Sequence, residues 1–265
     1  MDVLETQALT RRFGALTAVD ALTIAVQAGE VFGLVGPNGA GKTTVIKMLT
    51  TLLPPTSGGA RVGGFDIVRQ AGHVRRIVGY VPQLLSSDGA LTGYENLLIF
   101  AKLYDTPRAE RRQRIDEALA FMGLSDAANK LVRDYSGGMI RRLEIAQSML
   151  HHPQVLFMDE PTLGLDPLAR RAVWAHIEQL RANYGTTIFL TTHYMEEADS
   201  LCSRMAIMNL GQVAAVGSPT DLKASVGKRK TLDDVFAHYT GDSLQSSGGT
   251  YRDTSRTRRD AKRLV

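Results

Sequence analysis

A single cysteine, Cys202, stands in 265 residues, so no disulfide can close within the chain and no multi-cysteine metal site is available. As a lone thiol it reads as a small buried hydrophobe. No apolar run approaches the roughly 20 residues that cross a bilayer, and the opening MDVLETQ has neither the basic nor the apolar stretch of a signal peptide. These absences give the expectation of a soluble, intracellular protein. A strong charge of one sign is also lacking. Six of the 31 Lys and Arg (Arg252, Arg256, Arg258, Arg259, Lys262, Arg263) fall in residues 241–265 beside three of the 27 acids (Asp242, Asp253, Asp260), which leaves 25 basic and 24 acidic groups elsewhere. The body therefore carries no charge signature for nucleic acid, and no specific nucleic-acid binding is expected. The stretch 241–265 reads as a polar, basic, disordered tail, with a lipid or RNA contact as the alternative.

The chain does have enough apolar residues, 44%, to bury the core of one large domain or two modest ones. Residues 3–35 alternate like short strands: VLETQALTRRF, LTIAVQAG, then the apolar EVFGLVG. TTVIKMLTTLL follows as a helix expected to stop at Pro54-Pro55. After VGYVPQ the pattern turns helical through about residue 150, with a capping box from Thr92 to Glu95, a helix opened by Thr106-Pro107 and Gly123 as a stop. VLFMD (155–159) and TTIFLTT (186–192) are the continuous apolar runs of parallel strands covered on both faces. Asp166-Pro167 caps the helix between them. MAIMNLGQVAAVG reads as a hairpin, and Leu232 to Tyr239 as a last short helix. The fold class is an α/β core with one helical insertion.

Between EVFGLVG and its helix lies Gly36-Pro37-Asn38-Gly39-Ala40-Gly41-Lys42-Thr43-Thr44, which meets G-x-x-x-x-G-K-[ST]. The glycines let backbone N–H groups converge on phosphate oxygens, and the following helix adds its positive end. Lys42 would reach the β and γ phosphates and the Thr43 hydroxyl a Mg²⁺ ion. VLFMD ends in Asp159 and Glu160, placed where α/β sheets bind ligands. Asp159 suits the Mg²⁺ and Glu160 suits a general base for water. By itself a strand-end Asp-Glu is an ordinary solvated turn; behind a phosphate loop it gains chemical meaning. His193 ends another apolar strand and could donate to the γ-phosphate from the same sheet edge. Gln83, in YVPQ, sits at the junction of core and insertion.

Ser136-Gly137-Gly138 precedes a helical run in YSGGMIRRLEIA and forms a second phosphate cradle, although the chain gives no other sign of holding two nucleotides. The triplet occurs by chance in about one chain in ten of this length, so its weight comes from the order of motifs. Phosphate loop, VPQ, SGG before a helix, an apolar run ending in Asp-Glu, GLD and a strand-end His together resemble the nucleotide-binding domain of ATP-binding-cassette (ABC) ATPases, over roughly residues 3–220.

The resemblance implies a P-loop NTPase core with an N-terminal antiparallel β subdomain and a helical subdomain at about 85–150, the whole domain occupying 1–240. It implies a homodimer sandwiching two ATP with Mg²⁺, in which the Ser136–Gly138 cradle of one chain covers the γ-phosphate held by the phosphate loop of the other. By the same carry-over Phe13 stacks on adenine, Gln83 senses Mg²⁺ and the insertion, Asp166 crosses the interface, His193 contacts the γ-phosphate and Glu160 is the base. YSGGM departs from the usual signature at Tyr135 and Met139; a thioether donates no hydrogen bond, which leaves the contacts to Ser136 and Gly138. YSGGM, LTTHYMEEAD and TLDDVFAHYTGD are similar to the ATPases of daunorubicin-resistance and multidrug exporters. A separate membrane permease is therefore implied, with the chain peripheral on the cytoplasmic side of the membrane and the cargo a drug-like, antibiotic or lipid-like compound. The alternatives are a soluble ABC ATPase acting on nucleic acid, ribosomes or a protein scaffold, and a non-hydrolysing regulator.

Overall fold

The computed structural model describes residues 1–246, with side chains to residue 241. The expected disordered tail, 241–265, falls mostly outside the described residues. Strands β1 (Asp2–Phe13), β2 (Leu16–Leu22), β3 (Ala25–Gln27), β5 (Ser57–Val62) and β6 (Phe65–Asp66) form an antiparallel sheet ordered β2-β1-β5-β6, with β3 also on β1. The second sheet is ordered β11-β10-β4-β9-β8-β7, from β4 (Val31–Val35), β7 (Val78–Val81), β8 (Val155–Asp159), β9 (Thr187–Thr192), β10 (Arg204–Asn209) and β11 (Gln212–Gly217). All its pairs are parallel except the β10–β11 hairpin. That hairpin turns on Leu210 and Gly211, both at positive φ, as the twist of a two-residue turn demands.

Strands β4, β8 and β9 are buried along their whole length, which explains their unbroken apolar runs. Their alternate side chains feed two cores. Phe32, Leu34, Phe157 and Phe189 pack toward the antiparallel sheet and α1 (Lys42–Leu49), whereas Val31, Val35, Leu156, Met158, Ile188 and Leu190 pack toward the other helices. The first core is centred on Phe189, whose ring lies 5.6 Å from Phe32 and 5.5 Å from Phe157. Cys202 is buried as expected, with its thiol pushed up by burial and by Glu197.

After β6 comes α2 (Ala71–Ile77), and α3 (Gly93–Leu103), α4 (Arg108–Phe121) and α5 (Gly137–Met149) lie between β7 and β8. The Thr92–Glu95 capping box is formed in both directions, and Gly123 at φ 62 ends the turn after α4. Asp166 caps α6 (Pro167–Tyr184) by accepting from the Leu168 and Ala169 amides. The remaining helices are α7 (Met195–Leu201), α8 (Pro219–Val226) and α9 (Leu232–Ser246), the last running past Tyr239.

Helix α1 stops short of the expected Pro54-Pro55. Thr50 bonds its hydroxyl back to the Ile46 carbonyl, and Thr51 takes a left-handed φ of 65, so the helix closes at Leu49. The expected strand LTIAVQAG is also divided, with β2 ending at Leu22 and β3 beginning at Ala25.

Replacing Phe157 with Ala removes a fully buried ring packed 5.5 Å from that of Phe189 and should lower stability by about 3–5 kcal/mol. Denaturant titration checks this: a lower midpoint at constant slope is expected, and a loss under ~1 kcal/mol would contradict a tightly packed aromatic core.

Candidate functional site

The sheet register builds the site. Val35 pairs with Thr192 and Thr191 with Asp159, while β7 ends with Val81 opposite Met158. The residues that follow, Gly36, His193, Glu160 and Pro82-Gln83, consequently leave the sheet at one edge, as ligand-binding groups do in parallel α/β sheets. Positions far apart in the chain become neighbours by register alone.

The loop from Gly36 to Gly41 is tied to the neighbouring strand β9 and to itself. Gly36 donates its amide to the Thr192 carbonyl, and Ala40 to that of Pro37. Gly41 adopts φ 103, and a β-carbon there would lie 2.3 Å from the Ala18 carbonyl oxygen. Both the dihedral and the space demand glycine. Helix α1 begins at the next residue, so its N-terminal amides open toward the loop. Asn38 and Gly39 are exposed at the rim, and Thr43 and Thr44 are half-buried inside it.

Lys42, only 5% exposed, donates to the carbonyls of Gly36 (2.8 Å) and Pro37 (3.1 Å), with Glu160 Oε1 3.4 Å from its ammonium. Burial lowers its pKa, opposed by the charge and hydrogen bond of Glu160 and by the charge of Asp159. The other Glu160 oxygen lies 3.0 Å from His193 Nδ1. Glu160 sits at φ 49, in the left-handed region that a non-glycine residue enters at a cost of roughly 1–3 kcal/mol. Its amide is held by the hydroxyl (3.0 Å) and carbonyl (3.1 Å) of Thr191. The chain thus breaks strand geometry at this residue, and its carboxylate meets Lys42 on one side and His193 on the other.

Asp159 is 1% exposed and has different partners, its Oδ1 accepting from Thr191 (2.6 Å) and Thr43 (3.2 Å). Its Oδ2 is buried without a hydrogen-bond partner. A buried carboxylate oxygen lacking a donor, beside a threonine hydroxyl, is a donor set suited to a hard cation such as Mg²⁺. Burial, with the Asp159 charge as a smaller cause, pushes the nearby Tyr80 up to about 12.

One cleft is lined by Phe13, Leu16, Ala18, residues 38–44, Gln83 and Glu160. Phe13 is 44% exposed, and the Arg11 guanidinium lies 4.6 Å from its ring centroid. Ser136, Gly137 and Gly138 do not line this cleft. They form the N-terminus of α5, where Ser136 caps the helix by accepting from the Met139 amide. Ser136 and Gly137 are exposed, and Gly138 is pressed so closely on α6 that a β-carbon would lie 2.9 Å from that of Ala169. Asp166 is exposed one turn before Ala169. The chain therefore holds two separate cradles, one inside a cleft and one facing outward.

The structure also assigns the unusual Tyr135 and Met139. Tyr135 is buried, donates to the Ala127 carbonyl (2.7 Å) and occupies the space that a side chain at Gly93 would need; Met139 packs against the same core. Thr191 and Glu197 escape the sequence reading. Glu197 is fully buried and accepts from Thr162 (2.8 Å) and Trp174 (2.9 Å), tying α7 to the segment after Glu160. A threonine in an apolar strand and an acid spaced for the inner face of α7 were the available signals.

The chain is similar to known proteins. The sequence pattern of the ABC transporter family matches residues 19–163. The daunorubicin/doxorubicin resistance ATP-binding protein DrrA of Streptomyces peucetius is 43% identical over 247 residues, covering 92% of this chain and 74% of the relative. The linearmycin resistance ATP-binding protein LnrL of Bacillus subtilis (strain 168) is 38% identical over 225 residues, covering 85% and 72%. A solved ATP-binding subunit of an ABC transporter superposes with a TM-score of 0.80 at 30% identity, covering 90% of this chain and 99% of that one. The cbiO1 protein of Clostridium perfringens, part of the ABC transporter complex cbiONQ, gives 0.76 at 27%, covering 84% and 91%.

Gly41→Ala should weaken binding of a fluorescent ATP analogue on the order of tenfold or more, because the loop must unbend to free the Ala18 carbonyl. Equilibrium titration measures it, and unchanged affinity would remove this loop from the site.

Proposed function

The chain belongs to the ABC transporter family, in which it is an ATP-hydrolysing subunit, and we propose that it energises export of a drug-like, antibiotic or lipid-like compound through a separate permease. The observation that carries the reading is the Glu160 carboxylate held between Lys42 and His193 at the mouth of the phosphate loop. Names of relatives that confer resistance to daunorubicin/doxorubicin and linearmycin, or export Nod factor, support this class of cargo.

In this reading Phe13 stacks on adenine, and the Gly36–Gly41 backbone and Lys42 hold the β and γ phosphates. Thr43, Asp159 and Gln83 would hold Mg²⁺, which offsets phosphate charge when bound. Lys42 and His193 turn from Glu160 to the γ-phosphate, freeing the carboxylate to take a proton from water. The water oxygen bonds to the terminal phosphorus as the bond to the β-phosphate oxygen breaks, releasing ADP and phosphate.

The outward cradle completes the site in a homodimer sandwiching two ATP. The Ser136 hydroxyl, the Gly138 amide and the α5 N-terminus of one copy cover the γ-phosphate bound by the other, with Asp166 at the seam. ADP lacks that group, so closure follows the nucleotide through differential affinity. A separate groove lined by Leu52, Tyr80, Phe100, Leu103 and Tyr104 supports permease docking, as does Leu84, next to Gln83 in the chain and 81% exposed. Among the described residues no helix is long and apolar enough to cross a membrane, so docking on a permease would hold the chain to the cytoplasmic face of the membrane.

Glu160→Gln should lower turnover by about 10²- to 10⁴-fold while giving an ATP-dependent dimer on a sizing column. Adding Ser136→Arg should abolish that dimer and leave ATP binding by the single chain intact. Hydrolysis by Glu160→Gln at the unmutated rate would reject Glu160 as the base, and loss of single-chain binding on adding Ser136→Arg would reject the cross-chain cradle.

A further inference from the structure

Arg141 is the largest fully buried side chain among the described residues, 1% exposed on the inner face of α5. A guanidinium in such a place is unfavourable unless charge and hydrogen bonds compensate, and here its partners have a pattern. Arg141 is 3.0 Å from the Glu144 carboxylate and forks onto two successive backbone carbonyls, Pro82 (2.7 Å) and Gln83 (2.9 Å). Glu144 accepts the Ser86 amide and, at 3.2 Å, its hydroxyl. One turn on, Gln147 accepts from the Ser87 hydroxyl (3.3 Å) and Ser148 donates to the Tyr80 carbonyl (3.0 Å). The four polar residues 141, 144, 147 and 148 share one helical face by their spacing. That face holds the segment from Tyr80 to Ser87 over the stretch where it has left the sheet, whose pairing ends at Val81.

We propose that Arg141, paired with Glu144, is a positioning residue that makes Gln83 move with the Ser136–Gly138 helix, linking the outward cradle of a chain to that chain's own phosphate cleft. Arg141 touches neither nucleotide. Its planar fork fixes the peptide that carries Gln83, so a shift of α5 when Ser136 meets the second copy's γ-phosphate is delivered to Gln83 at the first site. A lysine would keep the charge beside Glu144 and lose the hold on two carbonyls at once. The proposal rests on the reading that Gln83 takes part in hydrolysis.

The test is a double-mutant cycle on the full-length chain, read as ATP turnover with kcat and KM separated. Arg141→Met with Glu144→Gln removes the pair without leaving a buried charge, and the amide introduced by the second substitution would retain an acceptor for Ser86. In the native background kcat should fall between tenfold and about a hundredfold with KM for ATP unchanged, as expected for a misplaced group. In a Gln83→Ala background the same pair of substitutions should cause no further loss, because the effect passes through Gln83. Arg141→Lys, which keeps the charge paired, carries the same comparison should the double variant fail to fold, and a smaller, equally non-additive loss supports the proposal. Additive losses, or an unchanged kcat in the native background, would make Arg141 a packing residue and leave the Gln83 reading intact. An unchanged rate for Gln83→Ala alone would overturn the Gln83 reading and the proposal with it.

Discussion

The arrangement depends on one carboxylate held against its backbone's preference. Glu160 occupies left-handed φ at the end of a fully buried strand, and in return its two oxygens face the Lys42 ammonium and the His193 ring. Lys42, 5% exposed, must be paired, because an isolated ammonium at that depth would lose its proton before it lost its hydration. Burial lowers the lysine's pKa, and the contact opposes that shift while it aims the glutamate.

Everything around that contact is arranged by strands serving two cores at once. Because β4, β8 and β9 are covered on both faces, their register is fixed from both sides, and a slip of one residue would exchange the two cores' side chains. The ends of these strands inherit that precision. The helices contribute differently: α5 holds the Gln83 segment by polar contacts instead of sheet pairing. The sheet edge carries Lys42, Glu160 and Asp159, and α5 carries Ser136 and holds the Gln83 segment; under the proposed function these are the two parts that a nucleotide would draw together.

Much of this was legible in the sequence where a local pattern had one physical reading. VLFMD and TTIFLTT read as strands buried on both faces and Thr92 with Glu95 as the cap of a helix start, as the structure has them, and GPNGAGKTT marked the loop between β4 and α1. The N-terminal sheet was less legible. Its strands are half-buried and bulged, with Ala8 and Ala21 at positive φ, so LTAVDAL passed unread as β2. The β5–β6 hairpin lay behind the Gly63-Gly64 turn signal, also at positive φ. Helix α1 ended early because Thr50 competed with its own backbone, which composition alone does not reveal. In the site, motif order named the residues and could not show contacts, since Lys42, Glu160 and His193 meet only through pairing of distant strands. Arg141 stayed hidden for the opposite reason: an arginine on a helix reads as a solvated residue, and only its burial shows otherwise.

The central claim is that the terminal phosphate of each ATP is gripped by one copy and roofed by another, which accounts for a chain with two cradles and a single phosphate loop. A crystal structure of the full chain with a slowly hydrolysed ATP analogue and Mg²⁺ tests it most directly. The account predicts the γ-phosphate beside Lys42 and His193 of one copy and within hydrogen-bond distance of the Ser136 hydroxyl and Gly138 amide of a second copy. A γ-phosphate covered by its own subunit, or open to solvent in a closed assembly, would contradict it.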